Sequence, residues 1–174
     1  MKTMTVATIW EALAEVPDPE IPVLSVVDLG LVHTVALDLA GGGRLRVELL
    51  PTFVGCPALE LIRTAVAERL AGMAATVEVE MTFAEPWTSD RITPGGRRKL
   101  RDSGFAPPGP GSLEPAGQQP ERPLFATITT RPEAACPYCG SRDTTLENPF
   151  GPTLCRAIFY CRHCRQPFEQ FKRV

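Results

Sequence analysis

Six cysteines carry most of the chemistry available to this sequence, and four of them form two C-x-x-C pairs. Each pair on a tight turn would present two thiolates, and two pairs at this separation are typical of a tetrahedral zinc site. An iron–sulfur cluster also accepts four thiolates, and a redox dithiol is a further alternative. We predict a structural zinc ion, which would stabilise a module of roughly 40 residues that is too small to fold on its own core. Its ligands would be Cys136, Cys139, Cys161 and Cys164.

A fifth cysteine, Cys56, lies between a predicted strand at residues 45–50 and a predicted helix at residues 58–71. Pro57 suits the first position of that helix, so the Cys56 thiol would lie beside free backbone N–H groups. Such an environment lowers the pKa of a thiol and makes it a better nucleophile and metal ligand. The alternative is a small, buried and inert cysteine at a strand–helix turn.

The roles of two carboxylates and of the sixth cysteine are open at this level. Asp18 and Glu20 lie in a segment with three prolines, residues 17–22, which cannot continue a helix. This stiff loop could present both acids to a metal or a basic partner, or it could be a solvated connector. Cys155 could be a packed residue, an exchangeable metal ligand or a redox partner.

Apolar periodicity predicts an α+β domain in the first part of the chain. Trp10 joins Ile9 and Leu13 on the apolar stripe of the first helix and is expected in the core. Three consecutive glycines, residues 41–43, predict a hairpin turn between the first two strands. We expect a small mixed sheet with helices on one face. The helices are predicted at residues 5–16 and 58–71, and the strands at residues 32–39, 45–50 and 76–83.

A basic segment follows the last predicted strand. Thr93 and Pro94 are suited to cap and open a short helix, which ends near Ser103 and Gly104. Trp87, beside this helix, either faces a partner or packs under the helix, and we favour packing slightly. A run of charges is usually a solvated face, but it could also dock a partner. The candidate docking residues are Trp87, Arg97, Arg98, Lys99 and Arg101.

Overall composition favours an ordinary cytoplasmic protein. The apolar content of 44% is that of a globular chain, and no apolar run approaches the roughly 20 residues of a membrane helix. The N-terminal residues lack the apolar stretch of a secretory signal, so we expect the cytoplasm, where cysteines favour metal or redox chemistry. The formal charge of −2 provides no general attraction to nucleic acid.

The domain organisation follows from a stretch rich in proline and glycine. Residues 107–132 have the composition of an extended, semi-stiff linker, and we place the domain boundary there. The predicted domains are an α+β domain at residues 1–106 and a zinc-ribbon module at residues 133–174.

Several motifs resemble known families. The run Asp18-Pro19-Glu20-Ile21-Pro22, the run Asp28-Leu29-Gly30-Leu31-Val32 and the motif Thr52-x-x-Gly55-Cys56-Pro57 resemble the small domain of cytosolic iron–sulfur assembly factors. The later motifs resemble the PaaD family, which is encoded with the multicomponent phenylacetyl-CoA epoxidase of aerobic phenylacetate breakdown. These are Pro86-Trp87-Thr88, Gly96-Arg97-Arg98-Lys99-Leu100, Phe105-Ala106-Pro107-Pro108 and Phe150-Gly151-Pro152-Thr153-x-Cys155-Arg156, with both C-x-x-C pairs.

The resemblance implies an accessory role in making or maintaining the metal centres of the epoxidase, without substrate turnover. Its oxygenase carries a carboxylate di-iron centre, and its reductase carries flavin and an iron–sulfur cluster. The implied partners are these subunits and iron–sulfur assembly proteins. Cys56 would be the reactive thiol that transiently holds iron or a cluster, with Asp18 and Glu20 in its acidic loop. Relatives often have a further cysteine after a Phe-Lys pair, but Arg173 follows that pair here.

Two other classes of function remain open from the sequence. A zinc ribbon with several arginines could bind nucleic acid or protein, although the slightly acidic chain argues against nucleic acid. A thiol redox protein could use Cys56 together with Cys155 or one of the C-x-x-C pairs. Ordinary hydrolase, kinase and dehydrogenase motifs are absent from the sequence.

Overall fold

A computed structural model describes residues 4–40, 43–52, 56–109 and 134–172 of the chain. The contacts within it divide the chain into two units, one ending at Ser103 and the other beginning at Gly104. No helix within the described ranges is long and apolar enough to cross a membrane. Each unit has its own sheet, and the two are described in turn.

A three-stranded mixed sheet forms the first unit. Strands β1 (Val32–Asp38) and β2 (Arg44–Leu49) are antiparallel, and β2 pairs in parallel with β3 (Thr76–Met81). Helix α1 (Val6–Leu13) precedes β1, and helix α2 (Ala58–Leu70) connects β2 to β3. The predicted element order and the mixed sheet are therefore confirmed, while residues 41 and 42 of the predicted glycine turn lie outside the described residues.

Alternation along β2 explains why the helices cover one face of this sheet. Leu45, Val47 and Leu49 are fully buried, because their side chains point toward the helical layer. The residues between them point to the other face, where Arg46 pairs with Glu80 of the neighbouring strand at 2.8 Å. One apolar and one charged face give the predicted α+β layer arrangement.

Helix α1 begins with a capping box at Thr5, but its buried face differs from the predicted one. Thr5 and Thr8 form a reciprocal capping box, with the Thr8 backbone N–H donating to Thr5 Oγ1 at 3.2 Å. Ile9 and Leu13 are fully buried, whereas Trp10 is 36% exposed. Trp10 follows Ile9 by about 100° of rotation around the helix axis, which places it at the edge of the apolar stripe and not in the core.

The segment after β3 forms a short 3₁₀ turn, Ser89–Arg91, and helix α3, Pro94–Asp102. Thr93 caps α3 as predicted, since its Oγ1 accepts from the Gly96 backbone N–H at 2.9 Å. A Cβ at Gly96 would lie 2.7 Å from the Asp28 carbonyl oxygen, so this close approach requires glycine.

A four-stranded sheet forms the second unit, in the order β4, β7, β6, β5. Strands β5 (Thr144–Asn148), β6 (Arg156–Cys161) and β7 (Pro167–Phe171) are consecutive antiparallel neighbours. The small core centres on Phe159 and Phe168, whose rings stack with centroids 5.7 Å apart.

The first strand of this sheet comes from before the predicted linker. Strand β4 (Phe105–Ala106) pairs in parallel with β7, and Ala106 is 1% exposed in the core of the second unit. The division at Gly104 therefore precedes the boundary that the sequence analysis placed within residues 107–132. Of that linker, residues 110–132 lie outside the described residues.

Replacing Ala106 with Asp should destabilise the second unit selectively. A carboxylate at a buried position without a partner is expected to cost about 3 kcal/mol or more of that unit's free energy of unfolding. Hydrogen exchange followed by mass spectrometry on the full chain should show lost protection in β6 and β7 and unchanged protection in β1 to β3. Gly109→Asp is the matched control, because a Cβ at Gly109 meets open space. Equal protection in both variants would contradict the assignment of β4 to the second core.

Candidate metal centre and reactive thiol

The two C-x-x-C pairs form equivalent turns at one end of the ribbon. In the first turn, the Gly140 backbone N–H donates to the Cys136 carbonyl at 2.9 Å. In the second, the Arg165 backbone N–H donates to the Cys161 carbonyl at the same distance. Gly140 and Arg165 both have positive φ values, 75° and 59°, which turn the chain back after each pair. Both pairs thus present their thiols toward one point.

The spacing of the four sulfur atoms fits a tetrahedral metal site. All four Sγ atoms lie within 4.8 Å of one another, and they are the only such His, Cys, Asp or Glu group in the described part of the chain. Cys136 and Cys164 are 3.6 Å apart at Sγ, as are Cys139 and Cys161. A disulfide requires about 2 Å. A zinc ion bound at about 2.3 Å from each sulfur separates them by about 3.8 Å, so this donor set suits zinc.

The four thiols of the cluster differ in their pKa values. The Cys164 backbone N–H lowers the pKa of the Cys161 thiol to about 7, because the hydrogen bond favours the thiolate. Burial, together with the neighbouring thiols, raises the pKa of Cys164 to about 12. A metal ion that binds all four sulfurs must therefore displace protons, and its binding will weaken as the pH falls.

Cys155 lies at the other end of the same ribbon. Its Sγ is 3.0 Å from Thr153 Oγ1, and the residue is 9% exposed. Cys161 lies six positions further along the extended chain, a distance of roughly 20 Å. Cys155 is therefore a packed residue remote from the four-cysteine cluster, and its predicted roles in metal exchange or redox chemistry stay predictions.

Cys56 lies just before α2, as the sequence predicts. The sequence analysis placed Pro57 at the first helical position, whereas the helix begins one residue later. Pro57 is the N-cap, and Ala58 is the first helical residue. The backbone N–H groups of Ala58 and Leu59 favour the thiolate form of Cys56, which is half-buried, and the Leu59 N–H also donates to the Cys56 carbonyl at 3.3 Å. Residues 53–55, including the predicted turn residue Gly55, lie outside the described residues.

The predicted direction of the Cys56 pKa shift is wrong. Burial raises the pKa of the Cys56 thiol above its ordinary value, and the N–H of Ala58 offsets only part of that increase. The negative charges of Glu20 and Asp18 raise it further. The prediction considered the helix end alone, whereas burial and two carboxylates from a distant loop outweigh it. Cys56 is therefore a protonated thiol near neutral pH.

The acidic loop is closed by its own hydrogen bonds. Asp18 is largely buried, and its Oδ1 accepts from the backbone N–H groups of Glu20 and Ile21 at 2.9 and 2.7 Å. The Asp18 N–H donates to the Leu24 carbonyl at 2.8 Å, and Pro17 bridges to Ser25. The hydrogen bonds of Asp18 thus hold the loop in one conformation. The carboxylates of Asp18 and Glu20 are close enough to Cys56 to raise the pKa of its thiol.

Trp87 does not face a partner. It is 2% exposed, and its Nε1–H donates to the Leu29 carbonyl at 2.9 Å. A buried tryptophan with its N–H paired belongs to the core of the first unit. Its inclusion among the docking residues is corrected accordingly, and the packed alternative is the one observed.

The basic helix offers fewer available charges than its sequence suggests. Arg97 donates to a backbone carbonyl of the 3₁₀ turn at 2.6 Å, and Lys99 donates to Asp28 at 2.6 Å. Both side chains hold α3 in place. Arg98 and Arg101 are exposed and have no carboxylate partner in the described ranges. They are the docking candidates that remain accessible.

Sequence reasoning missed the role of Asp28. Its carboxylate accepts from the Ser25 N–H and Oγ as well as from Lys99, which is 71 residues away in the chain. Burial acts to raise the pKa of Asp28, but these hydrogen bonds more than offset it, so the pKa lies below its ordinary value. No local pattern signals a pair at this separation.

Comparison with known proteins agrees with the two units. Residues 6–81 match the family described as iron-sulfur cluster assembly protein, and residues 120–172 match the PaaD zinc beta ribbon domain. A protein of Escherichia coli strain K12, provisionally named as one of the subunits of 1,2-phenylacetyl-CoA epoxidase, is 39% identical over 167 residues. That match covers 95% of this chain and 92% of the relative. This chain belongs to the PaaD family.

Solved structures resemble about half of this PaaD-family chain. A domain of unknown function, DUF59, from Bacillus anthracis is 26% identical, with a TM-score of 0.49, over 54% of this chain and 89% of that one. A conserved hypothetical protein from Thermotoga maritima is 33% identical, with a TM-score of 0.48, over 57% and 97% of the two chains.

Replacing Cys161 with Ser should remove the metal from the ribbon. A site that loses one of four thiolates, and whose small core depends on the metal, should lose both zinc and hydrogen-exchange protection in β5 to β7. Elemental analysis of the purified full chain measures the first effect. Cys155→Ser is the control, because it changes a thiol at the opposite end of β6 and should retain about one zinc per chain. Retention of zinc by the Cys161 variant would contradict the four-cysteine assignment.

Replacing Glu20 with Gln should make Cys56 more reactive toward iodoacetamide at mildly alkaline pH. Removing a negative charge lowers the pKa of the thiol, so the midpoint of the pH–rate profile should move to lower pH. Peptide mass spectrometry of the zinc-loaded protein separates Cys56 from the ribbon cysteines. Glu147→Gln, in the second unit, should leave the profile unchanged. An unchanged or rising midpoint in the Glu20 variant would show that the carboxylate does not act on the thiol.

Proposed function

We propose that this chain is an accessory factor of a phenylacetyl-CoA epoxidase, and that it delivers iron or an iron–sulfur cluster through Cys56. The named E. coli relative and the match to an iron–sulfur assembly family support the accessory role. The observation that carries the delivery function is electrostatic. Two carboxylates, from Asp18 and Glu20, act on one half-buried thiol at the start of a helix.

This arrangement favours a cation over a free thiolate. Burial and the like charges of two carboxylates disfavour the Cys56 thiolate, so the thiol stays protonated in the absence of a cation. When Fe²⁺ binds, the Cys56 S–H bond breaks, the proton passes to water, and the sulfur donates its electron pair to the metal. The same carboxylates then attract the metal and stabilise the pair.

Release of the bound iron would be easy because few protein side chains would coordinate it. Cys56 would supply the only sulfur ligand, and Asp18 or Glu20 could supply an oxygen ligand, so the cargo would be held by few protein ligands. When the iron passes to ligands of the client, Cys56 recovers a proton from water. The raised pKa favours that step, because it makes protonation of the vacated sulfur easy near neutral pH.

The second unit provides a permanent metal site with a structural role. Cys136, Cys139, Cys161 and Cys164 would bind zinc as a closed four-thiolate site, which stabilises the ribbon and supplies no open position for chemistry. The clients are subunits of the epoxidase, the oxygenase or the reductase, and iron–sulfur assembly proteins are the donors. Arg98 and Arg101 would contribute to docking, with the cytoplasm as the compartment.

The competing functions are less well supported. A thiol redox enzyme requires a reactive thiolate, and a raised pKa makes Cys56 a weaker one near neutral pH. A nucleic-acid-binding ribbon would need a broad basic face, whereas the chain carries a formal charge of −2.

Replacing Cys56 with Ser tests this function. Co-expression with the epoxidase subunits should give a complex with markedly less iron in the oxygenase or the reductase, and at least about tenfold lower transfer from the purified, iron-loaded chain. Iron per subunit is measured by elemental analysis and by the visible spectrum. Cys155→Ser should transfer as the unaltered chain does. Unchanged iron content and activity with the Cys56 variant would contradict delivery through this thiol.

A further inference from the structure

The loop between β5 and β6 exposes two large apolar side chains on a short segment. Phe150 is 69% exposed and Leu154 is 54% exposed, within a loop at residues 149–155. Single exposed apolar residues are ordinary on protein surfaces, but an aromatic and an aliphatic residue on one short loop are a feature of interaction sites.

Hydrogen bonds hold this loop in one shape. Asn148 Oδ1 accepts from the Phe150 backbone N–H at 2.9 Å, and the Gly151 N–H donates to the Arg156 carbonyl at 2.9 Å. The Arg156 Nε–H donates to Thr153 Oγ1 at 2.9 Å. A Cβ at Gly151 would lie 2.9 Å from the Arg156 backbone, so the loop closes as tightly as glycine allows. Phe150 is thus presented in a fixed position, which reduces the entropy lost on binding.

A cation lies beside the exposed ring. Lys172 Nζ is 5.4 Å from the centre of the Phe150 ring, which is within the range of a cation–π contact. In the described ranges Lys172 has no carboxylate partner, whereas nearby Arg156 pairs with Glu169 at 2.9 Å. The loop therefore combines apolar surface with one positive charge that an acidic partner could neutralise.

This feature is separate from the metal site. Strand β6 runs from the loop to Cys161, so roughly 20 Å of extended chain lies between Phe150's loop and the four-cysteine cluster. The ribbon thus has a metal-bound end and an apolar end, and the loop does not serve the coordination of the metal.

We propose that residues 149–154, together with Lys172, form a protein-docking loop for an epoxidase subunit. Its partner surface would be an apolar pocket, filled by Phe150 and Leu154, with a carboxylate at its rim opposite Lys172. A membrane is the weaker occupant, because stable membrane attachment needs a longer apolar anchor or a cluster of several basic residues. The identity of the partner rests on the proposed function, whereas the docking chemistry rests on the loop itself.

Binding of the zinc-loaded full chain to the purified oxygenase and reductase subunits tests this proposal. Phe150→Ser and Leu154→Ser should each weaken binding to one subunit at least about tenfold, because each removes an apolar side chain that would be buried there. Lys172→Glu should weaken it as well, and the salt dependence of the affinity should fall. Phe83→Ser is the matched control, because Phe83 is also 69% exposed but lies in the first unit; its binding should be unchanged.

The outcomes separate docking from delivery. All variants should retain about one zinc and their thermal midpoint, which shows that the loop changes leave the ribbon folded. Cys56→Ser should bind the subunit normally but fail to load it, so unimpaired loading would count against the proposed function alone. Equal affinity of the Phe150 and unaltered proteins, or no binding of the unaltered chain to either subunit, would overturn the docking loop. Binding to anionic vesicles that depends on Phe150 would assign the loop to membranes and would also overturn it.

Discussion

Parallel pairing of β2 with β3 is the constraint on which the first unit depends. Two consecutive strands can be parallel only if the chain crosses from the end of one to the start of the next, and α2 makes that crossover. The helix must then begin near the end of β2. Cys56 therefore lies beside the backbone N–H groups of Ala58 and Leu59 as a consequence of strand order.

The chemistry of Cys56 is decided by a competition between three effects. Helix N–H groups favour the thiolate, whereas burial and the charges of Glu20 and Asp18 favour the thiol, and the second group prevails. A site of this kind suits a metal cation better than it suits nucleophilic attack. Under the proposed delivery function, the carboxylates that help burial to keep the sulfur protonated would also stabilise a bound cation, so binding and release would both be linked to a single proton.

The second unit is a sheet with a very small apolar core, so other interactions must help to stabilise it. Phe159 and Phe168 are the largest side chains of its buried cluster, and β4 adds Ala106 from the far side of the proline-rich stretch. The four cysteine thiols at one end of the ribbon can coordinate a metal ion, which would cross-link the two C-x-x-C turns. Hydrogen bonds and the Arg156–Glu169 ion pair hold the other end of the ribbon, where Phe150 is exposed to solvent.

The sequence by itself determined the features that depend on neighbouring residues. Apolar periodicity identified every element of the first sheet, Thr93 marked the cap of α3, and the C-x-x-C spacing identified the four-cysteine cluster. These signals are local, because a helix repeats every few residues and a metal turn needs only a few. The tertiary structure alone decided that Lys99 pairs with Asp28 and that the carboxylates of Asp18 and Glu20 act on Cys56. Each of these results depends on groups that are distant in the chain and meet only after folding, so no local pattern carries them.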